Sequence, residues 1–476
     1  MSDPAQTRRI AVVGGGPTGL AAAYRITRLG HQVRLFESSD RLGGAIQSVR
    51  ENGWLVEAGP NSLLENSLEI AGLWRELGLE NDRLVADVRA KKRYIVRDGV
   101  IAALPSSPWS LLTTECWSQR STRRLIADLW RRPIARPRDV DIASLVKEHF
   151  GKEIVDFALN PFVSGVYAGD PHHLSAQHAF PRLWAAEKSR GSLVRGMMLQ
   201  AKMRRRQGHP KSAMITFRDG LQQITDALAG RLPSGAIELS TQVRQLRRDN
   251  ARWSFEWQRG DSELKPEFFD AVILAIPALA LAQLRIERSA SGTAHKSGES
   301  PTRPLEGLAQ IRYSAVASLF LGFPRESVSH PLDGFGLLAP AVEKRAILGV
   351  IFSSTLFPNR VPAGMVGLTV MIGGATRPEL VGAETERILD AVMPDLRELL
   401  GVTGDPVFKK LHRWLRAIPQ YELGYDRFFA EIAACEEQHA GLFIAGNIRN
   451  GIALPACLEA GLAVGAQAAA AAPRSA

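Results

Sequence analysis

The feature that most constrains this chain is the run "RRIAVVGGGPTGLAAAYRITRLGHQVRLFE" near its start. Ile10, Ala11, Val12 and Val13 form an unbroken apolar stretch of the kind that makes a buried parallel strand. Gly14-x-Gly16-x-x-Gly19 follows at once, and Leu20, Ala23 and Thr27, with Tyr24 beside them, recur at helical spacing. Pro17 falls near the first turn, where its missing N–H costs little. Gly14 permits the tight turn, Gly16 lets the backbone approach a diphosphate, and Gly19 lets helix and strand pack closely. The unpaired N–H groups and the dipole of the helix then meet the phosphates. Residues 32 to 36 read as the next strand and end at Glu37, 18 residues after Gly19, where a carboxylate can accept hydrogen bonds from a ribose.

A second glycine pair separates FAD from NAD. Arg41-Leu42-Gly43-Gly44 supplies a cation and two positions without side chains just past the ribose acid, which suits a cofactor reaching farther across the protein. Here the sequence resembles the large flavoprotein family that includes amine oxidases, phytoene desaturases and protoporphyrinogen oxidases. The resemblance implies FAD as cofactor, with Arg41 and Gly44 beside its phosphates; an ordinary surface arginine is the plainer reading of Arg41.

Composition agrees with a multidomain enzyme. The 476 residues, 45% hydrophobic and 23% charged, can bury substantial cores. Cys116, Cys435 and Cys457 are widely spaced and show no metal-like pattern, so no metal and a reducing, cytoplasmic setting are expected. The opening residues 1 to 9 read as a short polar lead, without a leader peptide. The stretch "AVILAIPALALAQL" carries Pro277 in its middle and reads as strand, turn and helix, not as a membrane span. The net charge of +10 gathers in "CWSQRSTRRLIADLWRRPIARPRD". Arg120, Arg123, Arg124, Arg131 and Arg132 stand there with Trp117, Leu125, Leu129 and Trp130, a pattern that suits an anionic membrane surface. A solvated helix packed by its Leu and Trp face fits equally well. No motif or basic and aromatic array accompanies the charge, so nucleic acid is not an expected partner.

Three separated segments read as one FAD domain. After the opening unit, "AMITFRDGLQQITDALAGRL" gives strand, glycine turn and amphipathic helix, "AIELSTQVRQLRRD" strand and loop, and "FFDAVILAIP" a buried strand. The last piece, "GLFIAGNIRNGIALPACLEAGLAVGAQAAAAA", gives a strand from Leu442 to Ala445, a glycine loop and a long Ala-rich helix that can offer further N–H donors to the cofactor. Residues 288 to 304 read as a polar loop.

The middle narrows the family. "NPFVSGVYAGDPHHLSAQHAFPRLW", with "GPNSLL", "KKRYIVRDG" and "FIAGNIRNGI" in the same order, closely resembles oxygen-dependent protoporphyrinogen oxidases over residues 9 to 468. Leu454 and Pro455 depart from the polar residues often found in that last loop. The resemblance implies an α/β fold with a Rossmann-like FAD domain (1–85, 210–285 and 436–476), a mixed-sheet substrate domain (86–105 and 305–435) and a helical, membrane-facing domain (106–209). It implies oxidation of protoporphyrinogen IX with dioxygen as acceptor; coproporphyrinogen III, amines and polyenes are alternative substrates, and a noncatalytic flavoprotein-fold binder is another. Arg93 would pair with a propionate, with Lys92 and Arg97 as alternates. Asn61 would stand at the reactive face as a positioner, although turn chemistry also explains it. Gly165 would bring a backbone carbonyl to flavin and substrate, and Leu338, Ile351 and Met371 would sandwich the macrocycle. Cofactor contacts are expected at Gly14, Gly16, Gly19, Glu37, Arg41, Gly44, Gly59, Val243, Gly446, Asn447 and Ile452. His172 and His173 read as exposed loop residues. A peripheral site on the cytoplasmic side of a membrane, a ferrochelatase at the cavity mouth and a homodimer remain open.

Overall fold

The computed structural model describes residues 7–105, 110, 113–133, 136, 138–208, 211–249, 252–258, 267–288 and 302–471. Most of the polar stretch expected at 288 to 304, and the first six residues of the lead, lie outside the described residues.

The opening apolar run forms strand Arg9–Val13, centred in a five-stranded sheet. It pairs in parallel with Gln32–Phe36 on one side and with Ala271–Leu274 on the other. Ile237–Glu238 and Leu442–Ile444 extend the sheet at its two ends, so segments far apart in the chain are stitched into one layer. Side chains alternate across it: Ile10 and Val12 enter one core, Ala11 and Val13 the other. A parallel sheet buried on both faces needs this continuous apolar composition. Helices Pro17–Arg28 and Leu454–Ala470 cover the first face.

Residues 271 to 284 fold as expected, strand Ala271–Leu274 followed by helix Ala278–Gln283. The expectation of a loop after residue 238 needs correction. Gln242–Asp249 is a strand, because it pairs with Arg252–Gln258 and with the remote Arg285–Arg288 in a second sheet. Phe255 from that sheet stacks on Phe269 and meets Phe36 edge-on, which joins the two sheets.

A seven-stranded sheet carries the rest of the cavity wall, in the order Phe408–Pro419, Tyr313–Pro324, Met365–Gly373, Ile347–Ile351, Gly334–Leu338, Lys92–Arg97, Val100–Ala103. It is mixed, since Gly334–Leu338 runs parallel to Lys92–Arg97 while its other pairings are antiparallel. One face packs on helix Thr385–Leu400 through Ile388, Val392, Leu396 and Leu400. Part of the other face, with Ser318, Ile351 and Met371, lines the cavity, while Phe320 packs on Trp54.

The described residues between 113 and 208 are largely helical. Helices Pro181–Arg190 and Leu193–Arg206 meet where a side chain at Gly196 would collide with Ala186. The basic run is only partly free. Trp117 is buried, Arg131 pairs with Glu148, and Arg136 pairs with Glu148 and Glu187 beside the buried His149. Among the described residues no helix is long and apolar enough to cross a membrane. His172 and His173 are exposed in a loop.

Candidate active site

A cavity of about 2170 Å³ opens where the parallel strands end. Val13 and Phe36 at strand ends, and Ala275 and Gly446 just beyond them, line it, the place where open α/β sheets bind ligands. Its volume exceeds the roughly 300–1,000 Å³ usual for one small ligand. The space therefore suits two large ones.

Two helix N-termini converge on one end. Gly461 fits against the Thr18 carbonyl and Gly465 against that of Ala22, so helices Pro17–Arg28 and Leu454–Ala470 run parallel in close contact. Parallel packing sets like ends of two dipoles side by side, an arrangement that an anion between them relieves. Neither N-terminus has a side-chain cap, and both carry proline in the first turn. A Cβ on Gly16 or Gly446 would meet no atom within 4 Å, so the backbone is bare where a ligand would approach. Gly14 (φ +108°) and Gly19 are glycine for another reason, since a Cβ would lie 2.4 Å from the Ala275 oxygen in one case and 1.9 Å from the Gly14 oxygen in the other. The second glycine pair closes over the first: Gly43 N–H donates to the Gly15 carbonyl at 2.8 Å, and a Cβ on Gly44 would stand 3.3 Å from Gly16.

Glu37 ends its strand as expected. Oε2 accepts from Gly15 N–H at 2.6 Å and Oε1 from Ser39 N–H at 2.8 Å, leaving Oε2 a lone pair for a ribose hydroxyl. Arg41 turns away from the cavity and clamps its own loop, donating to the carbonyls of Leu42, Gly44 and Ile46. That engagement, and its absence from the lining, separates it from Gly44.

The other half of the cavity is built from residues 58–61, the mixed sheet and the helical region. Trp414 Nε1 donates to the Ala58 carbonyl at 2.7 Å, and a side chain at Gly59 would strike the Ala45 carbonyl. Asn61 therefore projects from a segment held on both sides. Tyr421 pins the last loop, donating to the Asn447 carbonyl at 2.6 Å and accepting from Gly451 N–H at 3.0 Å. Tyr425 does the same for Ile448 at 2.8 Å. Burial pushes both phenols well above their ordinary value, so they stay neutral. Ser318 lines the wall with its Oγ buried and unpartnered. The bare glycines, paired helix ends, ribose acid and orphaned hydroxyl together fit FAD.

The lining brings together Gly14, Gly16, Glu37, Gly44, Gly59, Asn61, Gly165, Val243, Ile351, Met371, Gly446, Asn447 and Ile452. Gly19, Arg41, Arg93 and Leu338 lie outside it. Leu338 Cδ2 would stand 2.8 Å from a Cβ on Gly165, so it packs behind that glycine. Arg93 is exposed at the start of its strand, 5.7 Å from the Phe335 ring. Arg182 is a cation the sequence reading missed. It lines the same cavity as Leu64, Phe162, Val166, Met197 and Glu459, and burial, then repulsion from Arg204, holds its guanidinium below the ordinary arginine value against the opposing pull of Glu459. Nothing in its local sequence separates it from a surface arginine.

Comparison with known proteins gives a consistent result. The flavin containing amine oxidoreductase family matches residues 17–469. Protoporphyrinogen oxidase 2 of Arabidopsis thaliana is 33% identical, over 95% of this chain and 92% of its own. Coproporphyrinogen III oxidase of Bacillus subtilis is 26% identical, over 96% and 97%. Among solved structures, a candidate protoporphyrinogen oxidase of Exiguobacterium sp. 255-15 superposes with a TM-score of 0.79 at 24% identity, covering 98% of this chain and 99% of that one.

Proposed function

This chain belongs to the flavin containing amine oxidoreductase family, as an FAD oxidoreductase of the protoporphyrinogen and coproporphyrinogen oxidase type, and on that premise we propose that it oxidises protoporphyrinogen IX to protoporphyrin IX with dioxygen as acceptor. The observation that carries the reading is one cavity holding both a dinucleotide cradle and a broad apolar wall. The higher identity to a protoporphyrinogen oxidase, 33% against 26%, favours two carboxylates on the substrate over four.

Bound FAD supplies the two-electron acceptor, so removal of six electrons and six protons takes three turns, each reoxidised by one dioxygen to hydrogen peroxide. The chain's own part is binding and orientation. Ile351 and Met371 offer apolar contact to a flat macrocycle, with Leu64, Phe162 and Val166 on the same lining. Gly165 and Asn61 line the same cavity, which supports placing them beside flavin and substrate. Comparing porphyrin fluorescence gain from protoporphyrinogen IX and coproporphyrinogen III tests the substrate directly. Faster coproporphyrinogen turnover would move the assignment to that substrate, and amine or polyene oxidation without porphyrin formation would overturn it.

For the substrate carboxylates we place Arg182 first, because it is a guanidinium on the cavity lining with a second arginine near it and only Glu459 opposing, so a carboxylate can pair with it. Arg182→Ala should raise KM about tenfold with little change in kcat, the pattern of lost uniform binding. Arg93→Ala should shift KM less, since Arg93 stands outside the lining. Unchanged kinetics for Arg182→Ala would remove it from the site.

A peripheral membrane contact on the cytoplasmic side is part of the same proposal. Trp130 is 73% exposed, with Ile126, Arg123 and Arg124 exposed on the adjoining helix Gln119–Ala127. Changing Arg123, Arg124 and Arg132 to Gln should reduce co-sedimentation with anionic vesicles, and equal sedimentation would leave this helix as a solvated face. A ferrochelatase at the cavity mouth and a homodimer are further proposals that rest on the family alone.

A further inference from the structure

We infer that Thr369, backed by Ser353, is a positioning residue that locks the Asn61 carboxamide so that it presents an N–H donor to the flavin. The inference rests on the proposed placement of Asn61 at the meeting of flavin and substrate.

The orientation of an asparagine amide is decided by its neighbours. Asn61 Nδ2 stands 3.2 Å from the Gly59 carbonyl oxygen, and a carbonyl can only accept, so that side of the amide must be nitrogen. Oδ1 then faces Thr369 Oγ1 at 3.3 Å, and the threonine hydrogen goes to it. A hydroxyl has one hydrogen. Ser353 Oγ, 2.7 Å from Thr369 Oγ1, must therefore be the donor between those two hydroxyls. Both hydroxyl side chains are buried, and the backbone carries the chain into place, since Thr369 sits opposite Ile351 in the sheet and Ser353 opens the next turn. Arg360 completes the clamp by donating to the Asn61 backbone oxygen at 3.3 Å.

Two consequences follow for the chemistry. An amide is a very weak base, so Asn61 does not take a proton from substrate, and one lone pair of its Oδ1 is held by Thr369. The second amide N–H has no partner among the described residues, and Asn61 lines the cavity. A porphyrinogen presents pyrrole N–H donors at its centre, which do not complement another donor. The flavin ring edge carries carbonyl oxygens and ring nitrogens, which do.

The test uses the FAD-loaded protein. Thr369→Val keeps the β-branched shape while removing the hydroxyl, and Ser353 can turn to the Ile351 carbonyl 3.5 Å away, so folding and FAD content should hold. The visible absorption bands of the flavin should shift, and kcat should fall about tenfold with KM within about twofold, the worth of one hydrogen bond. Thr369→Ser should restore both. Thr369→Val combined with Asn61→Ala should match Asn61→Ala alone. A native spectrum and rate in Thr369→Val, or effects that multiply in the pair, would overturn the assignment. If neither porphyrinogen is oxidised by the unaltered protein, the proposed function fails, while the spectral comparison still decides Thr369.

Discussion

Gly16→Trp gives a folded protein that carries no FAD. The position has φ −74° and ψ 179°, open to any residue, and a Cβ there meets no atom within 4 Å. The substitution therefore costs the fold little, because its bulk enters the cavity. It enters between the two helix N-termini, where the backbone must come within hydrogen-bond reach of the diphosphate. FAD occupancy should fall below roughly a tenth, as read from the ratio of flavin to protein absorbance, with an unchanged far-ultraviolet circular dichroism spectrum. Full occupancy would refute the diphosphate placement. The neighbouring Gly19 makes the contrast. A methyl there would overlap the Gly14 oxygen at 1.9 Å, so Gly19→Ala should damage the fold itself.

Arg360→Met is expected to destabilise the protein by about 3–5 kcal/mol, the cost of leaving a buried charge without its partner. Arg360 donates to Glu57 Oε1 at 2.9 Å, and both side chains are almost completely buried. The same guanidinium reaches Thr216 Oγ1 at 2.9 Å and the Asn61 carbonyl. It thus ties strand Trp54–Glu57 and strand Ala213–Phe217 to the turn Pro358–Arg360. Adding Glu57→Gln should recover part of the loss, because Glu57 Oε1 also accepts from Leu221 N–H, a bond an amide oxygen can keep. Thermal or denaturant unfolding of the single and double variants checks this. Losses that simply add would contradict a coupled pair.

The parts of the fold that were legible in the sequence are those whose cause is local. The strand, glycine turn and helix at residues 9–28 announce themselves because each residue type answers a constraint within its own turn. Strand Gln242–Asp249 did not, since what makes it a strand is pairing with residues 285–288. The cavity residues divide in the same way. Gly16, Glu37 and Gly446 belong to short motifs and lie on the lining. Arg41 occupies a motif position too, yet a flexible side chain found nearer acceptors in its own loop. Gly165 lies on the lining and Leu338 does not, its side chain packing where a Cβ on the glycine would stand. Arg182, Ser318 and Thr369 carry no pattern at all. They become visible only when helix Pro181–Arg190 and the mixed sheet are brought around the same space.

The central claim is that one FAD site in this cavity takes six electrons from a porphyrinogen. Its most direct test is to mix purified, FAD-loaded protein with protoporphyrinogen IX in air and follow porphyrin fluorescence and dissolved oxygen together. Three oxygen molecules consumed for each porphyrin formed, with hydrogen peroxide as product, is the result expected. Oxygen uptake without porphyrin fluorescence, or no uptake until an amine or polyene is added, would contradict it.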